Sequence, residues 1–92
     1  MNTSDVENND RAELSEMEFR QRLREQPPSS KLIIKILESD GPQTFFELKE
    51  ISLLPERTLK SSIEKLESCN LIYLEDYSNK EHGQKYRLVA KD

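Results

Sequence analysis

Few side chains in this sequence could support covalent or metal chemistry. There is one cysteine, Cys69, and one histidine, His82, among 92 residues. A zinc site needs several Cys or His ligands at short spacing, and nucleophilic catalysis needs a nucleophile beside a base. The sequence therefore predicts no enzyme, no metal site and no cofactor. We expect His82 to be an exposed loop residue rather than a metal ligand, and Cys69 to be a small helix-end residue rather than a thiol sensor.

The chemistry that remains is hydrogen bonding and charge on one amphipathic helix in the stretch 54–72. Leu59, Ile63 and Leu66 recur at spacings of four and three, so they share one buried face, with the small Ser62 beside them. The opposite face carries residue types that a helix lying against DNA needs: Arg57, Lys60, Ser61, Glu64 and Lys65, with Thr58 at its edge.

Both ends of this helix are marked by residue type. Pro55 suits a first helical turn, where its missing N–H would have no partner anyway, and Asn70 tolerates the left-handed backbone that ends a helix. We therefore expect a helix over 55–68 that leads directly into a strand. The alternative to DNA contact is a solvated face whose charges pair with each other, such as Lys60 with Glu64.

The overall charge opposes nucleic-acid binding on the simplest rule. The net charge is −4, the pI is near 5.1, and 35% of the residues are charged. Residues 1–28 hold four Arg against seven acids, whereas residues 78–87 hold Lys80, Lys85 and Arg87 against Glu81. Most of the negative charge thus lies away from the helix over 55–68 and the loop that would touch phosphates.

The N-terminal part divides into a leader and a helix. Residues 1–9 are too polar to fold alone and are predicted to be disordered. Residues 10–26 predict a helix in which Phe19 and Leu23 share one side, while Leu14 and Met17 lie on the other. Such a helix could lie between the domain core and a second subunit, or it could be a frayed leader. Two prolines, at 27 and 28, separate it from the domain over 28–92.

Two short helices are expected next. Ser29 or Ser30 is predicted to cap a helix over 31–39, and Thr44 with Glu47 matches the capping box that begins a helix over 45–51. The first helix is expected to bury Leu32, Ile33, Ile36 and Leu37. The second is expected to bury Leu48, Ile51 and the phenylalanines Phe45 and Phe46.

A strand hairpin completes the pattern. In the segment 71–77, Ile72 and Leu74 are expected inward, with Tyr73 and Tyr77 outward, covering the sheet or stacking on bases. A second strand over 84–89 should place Tyr86 and Leu88 on one side and Arg87 and Val89 on the other. The polar connector SNKEHG is typical of a hairpin loop. Two helices joined by a tight turn and followed by a hairpin predict an α+β fold containing a helix-turn-helix.

Residues 28–90 resemble winged helix-turn-helix DNA-binding domains of the MarR type, especially archaeal ones. The most specific segment is LPERTLKSSIEKLESCNLI, which is similar to the recognition helix and its exit into the first wing strand. The resemblance implies a three-helix core and a two-stranded wing, to which the predicted helix over 10–26 adds an extra N-terminal helix. It also implies a recognition helix in the major groove and a wing on the backbone or minor groove. Five residues of that helix would then face DNA, namely Arg57, Thr58, Lys60, Ser61 and Lys65. Lys80, His82 and Lys85 would form the wing tip.

The chain departs from this family at a few positions. Ser61 and Glu64 stand where more basic residues are common, and Asn70 stands where many members have Gly. With the sequence ending at Asp92, the helix over 10–26 is left as the candidate for dimerisation.

The sequence predicts a sequence-specific, double-stranded DNA-binding transcription regulator. We expect it to be a cytoplasmic homodimer on a pseudo-palindromic site, with no membrane segment. The alternative is a winged helix that serves as a protein-interaction module, whose acidic surface meets a basic partner in a transcription or replication assembly.

Overall fold

The described part of the chain combines helices with one small sheet. The computed structural model describes residues 15–76 and 83–89. In chain order the elements are α1 (Glu16–Arg24), α2 (Pro28–Asp40), α3 (Phe45–Ser52), α4 (Glu56–Ser68), β1 (Ile72–Asp76) and β2 (Gln84–Leu88). The fold is therefore α+β, with four helices and a two-stranded antiparallel sheet among these residues. The predicted leader over 1–9, Leu14, Tyr77, Lys80 and His82 lie outside the described residues.

Helix α1 begins with a capping box, and a side chain near its end forms a hydrogen bond to the end of α4. Ser15 and Glu18 form a reciprocal capping box, each side chain accepting from the other residue's backbone N–H at 3.1 Å. Phe19 is 1% exposed and belongs to the core, whereas Met17 is 75% exposed, so the expected two-sided character is confirmed for these two residues. The Arg22 guanidinium donates to the Cys69 carbonyl oxygen at 2.8 Å, which joins α1 to the end of α4.

Helix α2 begins earlier than expected and buries a different stripe. Its N-cap is Pro27, so the prediction of a serine cap at Ser29 or Ser30 is wrong. The prediction that Leu32 is buried is also wrong: Leu32 is 38% exposed, and Ile34 is fully buried in its place. The run LIIKIL offers two neighbouring apolar stripes, and packing against the other elements decides which one is covered.

Ser29 and Ser30 lie inside α2 and face the core side. The Ser29 hydroxyl is 2.7 Å from the Ser62 hydroxyl of α4, and Ser30 is fully buried. Small side chains at this crossing allow α2 and α4 to approach closely. Both serines are therefore packing residues rather than caps.

Helix α3 is short and buries one narrow stripe. The predicted capping box is present, with the Thr44 hydroxyl accepting from Glu47 N–H at 3.0 Å and the Glu47 carboxylate accepting from Thr44 N–H at 2.9 Å. Leu48 is fully buried, but Phe46 is 66% and Ile51 is 44% exposed, so both were wrongly assigned to the core. Eight residues present a single stripe to the core, and these two positions lie off it.

A tight turn connects α3 to α4. Leu53 adopts left-handed backbone angles, with φ 62°, and is highly exposed. The Ser52 hydroxyl accepts a hydrogen bond from Leu54 N–H at 3.2 Å. The predicted turn is confirmed, with the left-handed residue at its first position.

Helix α4 agrees with its sequence pattern except at its start: Pro55, expected in the first turn, is the N-cap, and the helix begins at Glu56. Leu59, Ile63 and Leu66 are buried, as is Ser62, and the helix is followed by Asn70 at φ 61°. The positive φ at this residue was expected from its type. The chain then enters β1 after the buried Leu71.

The two strands pair in one register, which fixes their faces. Ile72 lies opposite Leu88 and Leu74 opposite Tyr86, so these four share one face of the sheet. Leu74 shares the face of the buried Ile72, as expected, but it is 37% exposed, because it lies two residues farther along β1 towards the hairpin loop. Tyr73, expected outward, is partly buried and packs against the core.

Val89, one residue after β2, is the last core residue among those that the structure describes. It is 1% exposed, and its N–H donates to the Leu71 carbonyl oxygen at 3.0 Å. The strand was expected to run to Val89, whereas β2 ends at Leu88. Within the described residues, no helix is both long and apolar enough to cross a membrane.

Candidate nucleic-acid interface

The outer face of α4 carries two parallel rows of side chains. Arg57, Ser61 and Lys65 follow one another at a spacing of four, and all three are exposed. A second row, offset by one residue, consists of Glu56, Lys60 and Glu64, which are also exposed. The first row carries two positive charges, and the second has a net negative charge. We call the first row the cationic row.

The structure brings the predicted α4 residues together, but two of them differ from the rest. Thr58 is only half-exposed, because it lies at the edge of the face that packs on the core. Lys60 belongs to the second row and is ion-paired within it. Among the described residues, Arg57 and Lys65 of the cationic row form no salt bridge, so they supply the available cations on this face.

Glu56 joins the two helices on either side of the turn. Its carboxylate lies 3.4 Å from the Lys49 ammonium of α3 and 3.5 Å from the Lys60 ammonium of α4. The hydrogen bond and charge of Lys49, followed by those of Lys60, hold the pKa of Glu56 below its ordinary value. The sequence suggested Glu64 as the partner of Lys60; the partner is Glu56, one turn earlier instead of one turn later.

Three charged residues of the hairpin, Glu75, Lys85 and Arg87, lie on the face opposite Tyr86. Lys85 lies opposite Glu75 in the strand register, and Arg87 lies 3.1 Å from the Glu75 carboxylate. Lys85 is half-exposed and is the one predicted wing residue within the described residues. Because neighbouring residues on a strand point to opposite faces, Lys85 lies on the other face of the sheet from Tyr86.

A cleft of about 210 Å³ separates α4 from β2. It is lined by Phe45, Lys60, Ile63, Glu64, Glu67 and Tyr86. Partial burial and the nearby Glu64 carboxylate raise the pKa of Glu67, and burial together with the Glu67 carboxylate raises the pKa of Tyr86. The side of α4 that faces the sheet is thus acidic.

Sequence reasoning missed three residues that shape this electrostatic pattern: Lys49, Glu56 and Glu67. The spacing of four between Glu56 and Lys60 was a visible signal for their ion pair. Lys49 has no such signal, because its approach to Glu56 depends on the geometry of the turn. Among the described residues, no group of His, Cys, Asp and Glu could hold a metal ion.

Comparisons with protein-family models, with characterised proteins and with solved structures each find no match. The geometry of α4, the turn and the hairpin therefore carries the functional argument.

Proposed function

We propose that this chain is a winged helix-turn-helix protein that binds double-stranded DNA sequence-specifically and regulates transcription in the cytoplasm. The observation that carries the proposal is the exposed cationic row of α4. Arg57 and Lys65 project from a helix whose opposite face is fixed in the core, and an antiparallel hairpin follows directly. Such a helix has a diameter of about 10–12 Å, which fits a major groove about 12 Å wide.

The chemistry of each position suggests its role. Arg57, near the start of α4, can form a bidentate contact with a guanine edge, and Ser61, one turn later, can bond to either kind of base. Lys65 and Lys60 are suited to phosphates, as are the wing residues Lys80, His82 and Lys85. Thr58, at the edge of the row, would contact the backbone.

The acidic neighbours of the cationic row are expected to limit non-specific affinity. Glu56 and Glu64 flank it, and Glu67 lines the cleft behind it. Phosphates approaching this side meet repulsion, so binding depends on the few well-placed donors and not on a broad basic surface.

A homodimer through the N-terminal helix is part of the proposal. Met17 is its large exposed apolar side chain within the described residues. Deleting the helix is a poor test because the deletion also removes Phe19 from the core. Met17→Glu is the sharper variant: sedimentation should show a monomer, and an unchanged dimer would refute this contact.

A second candidate function is a protein-interaction module. Phe46 and Leu53, at the two ends of α3, are 66% and 86% exposed. A contiguous patch formed by such side chains would mark a protein contact. In that case the acidic surface would meet a basic protein partner, and no DNA affinity would be observed.

The deciding experiment is fluorescence anisotropy with random-sequence duplex DNA over a salt series. The double variant Arg57→Ala, Lys60→Ala is compared with Lys31→Ala, Lys35→Ala, which removes the same charge from α2. The logarithm of the affinity should fall linearly with the logarithm of salt concentration, by about 0.9 per phosphate neutralised. Loss of binding in the first variant alone supports DNA recognition by α4. Absence of wild-type binding even at low salt would refute it in favour of the protein-interaction module.

A further inference from the structure

A second charged surface lies between α1 and α2. It is an open groove of about 220 Å³ lined by Arg20, Leu23, Arg24, Lys31 and Lys35. Leu23 is half-buried and packs against the core, so it forms an apolar floor. Four cations surround one apolar side chain. We call this surface the α1–α2 groove.

The cations of the α1–α2 groove are largely unpaired. Arg20 lies 3.2 Å from Glu16 in an exposed pair one helical turn apart. Within residues 15–76 and 83–89, the salt bridges include none formed by Arg24, Lys31 or Lys35. The chain as a whole carries a net charge of −4, so this concentration of positive charge runs against its composition.

Most charges of α1 are divided between its two sides; the exception is Glu16, which pairs with Arg20 beside the groove. Arg20 and Arg24 line the groove, whereas Glu18 and Glu25 line a separate hollow on the other side of the helix, together with Arg22. Arg22 is engaged there with the Cys69 carbonyl oxygen. The groove therefore presents cations with no acidic side chain in its lining.

Helix α2 stands between this groove and α4. One side of α2 meets α4, where Ser29 and Ser62 are hydrogen-bonded, and the opposite side exposes Lys31 and Lys35. A ligand in the groove would leave the cationic row of α4 accessible. The two surfaces can therefore be occupied independently.

We propose that the α1–α2 groove docks an acidic amphipathic segment of a partner protein. Its carboxylates pair with Arg24, Lys31 and Lys35, and one of its apolar side chains packs on Leu23. Charge complementarity selects the acidic partner, and the apolar floor favours a peptide, because phosphates offer no apolar group. This inference does not depend on DNA binding.

A second copy of the chain fits the groove poorly. A symmetric contact centred there would place Arg24, Lys31 and Lys35 of both copies together, and like charges at an interface oppose association. Met17 lies seven residues before Arg24, about 10 Å along α1 at a rise of 1.5 Å per residue. Arg20, three residues after Met17, also lines the groove, so the dimer contact proposed at Met17 adjoins the Arg20 end of the groove and lies away from Arg24.

The test uses a fluorescein-labelled synthetic helix with Glu on one face and Leu at spacings of three and four. Its binding to the full chain is measured by anisotropy for two charge-reversal variants. Lys31→Glu, Lys35→Glu alters the groove, and Arg57→Glu, Lys60→Glu makes the same charge change on α4. The groove variant should bind the peptide at least about 10-fold more weakly, while the α4 variant stays within about 2-fold of wild type.

Two controls test whether a loss of peptide binding comes from the groove and not from unfolding. Lys31 and Lys35 are exposed, so circular dichroism should show a folded groove variant, and Arg24→Gln should independently weaken peptide binding. Equal loss in both double variants, no wild-type binding, or equal binding of a peptide with every Leu changed to Ser would each overturn the proposal. Duplex DNA is titrated in parallel. Loss of DNA binding in the groove variant would assign the groove to nucleic acid. Loss of DNA binding in the α4 variant alone supports the DNA proposal, and the peptide measurements then decide the groove proposal independently.

Discussion

Lys60 lies 3.5 Å from Glu56, one turn earlier on α4, and the same carboxylate lies 3.4 Å from Lys49 on α3. The Glu56 side chain thus joins α3 to α4 across the turn. It also forms an ion pair with Lys60, a cation of the candidate DNA surface. Exposed ion pairs of this kind are easily exchanged for other partners. Glu56 therefore competes with phosphate for Lys60.

Glu56→Gln should tighten DNA binding. The change frees Lys60 and Lys49 and removes a negative charge beside Arg57, so we expect about 3- to 10-fold higher affinity at low salt and a steeper salt dependence. Anisotropy over a salt series measures both. Glu16→Gln is the matched control, since it breaks the exposed pair with Arg20 on α1. Equal or weaker DNA binding by the Glu56 variant would show that Glu56 holds Lys60 in position for DNA and does not compete with phosphate for it.

Glu67→Gln should stabilise the fold in a pH-dependent way. Because burial and Glu64 raise the pKa of Glu67 above its ordinary 4.5, folding favours the neutral carboxyl. The wild-type protein holds this advantage at low pH and loses it as the pH rises through the raised pKa.

The glutamine variant should therefore unfold at higher urea concentration than wild type near pH 7. The gain stays below about 1 kcal/mol because Glu67 is more than one-third exposed. Near pH 4 the difference should vanish. Glu50→Gln, at an exposed position on α3, is the control, and a gain that persists at low pH would contradict the assignment.

Phe19→Ala should destabilise the whole domain and not α1 alone. The ring is 1% exposed, and truncation of a buried phenylalanine costs about 3–5 kcal/mol. Met17→Ala, on the exposed side of the same helix, should change the free energy of unfolding by less than about 0.5 kcal/mol. Chemical denaturation followed by circular dichroism compares the two. Similar small effects would mean that α1 is peripheral to the core.

Leu53→Gly should stabilise the turn between α3 and α4. A left-handed residue other than glycine costs about 1–2 kcal/mol, partly offset by the greater entropy of glycine in the unfolded chain. We expect a net gain of about 0.5 kcal/mol in thermal or urea unfolding. Leu53→Ala removes the same exposed side chain but keeps Cβ, so it should show no gain. Equal behaviour of the two variants would exclude backbone strain as the cause.

Local signals in the sequence determined much of the helix-turn-helix region. The Thr44–Glu47 capping box, the buried face of α4 and the positive φ of Asn70 were all expected from residue type and spacing. Each depends on contacts within one helix or on the preference of one residue, which neighbouring residues largely fix. The α4 face with Arg57 and Lys65 follows from the same periodicity.

Only the tertiary structure decided which of several similar apolar residues are buried and which charged residues from different helices meet. Ile34 replaces Leu32 in the core and Phe46 lies exposed, because burial depends on which side of a short helix meets other elements. The contact of Lys49 with Glu56 needs the turn geometry, and the α1–α2 groove needs two helices packed side by side. Spacing along a chain specifies which residues share a face, whereas the packing of distant segments decides what that face meets.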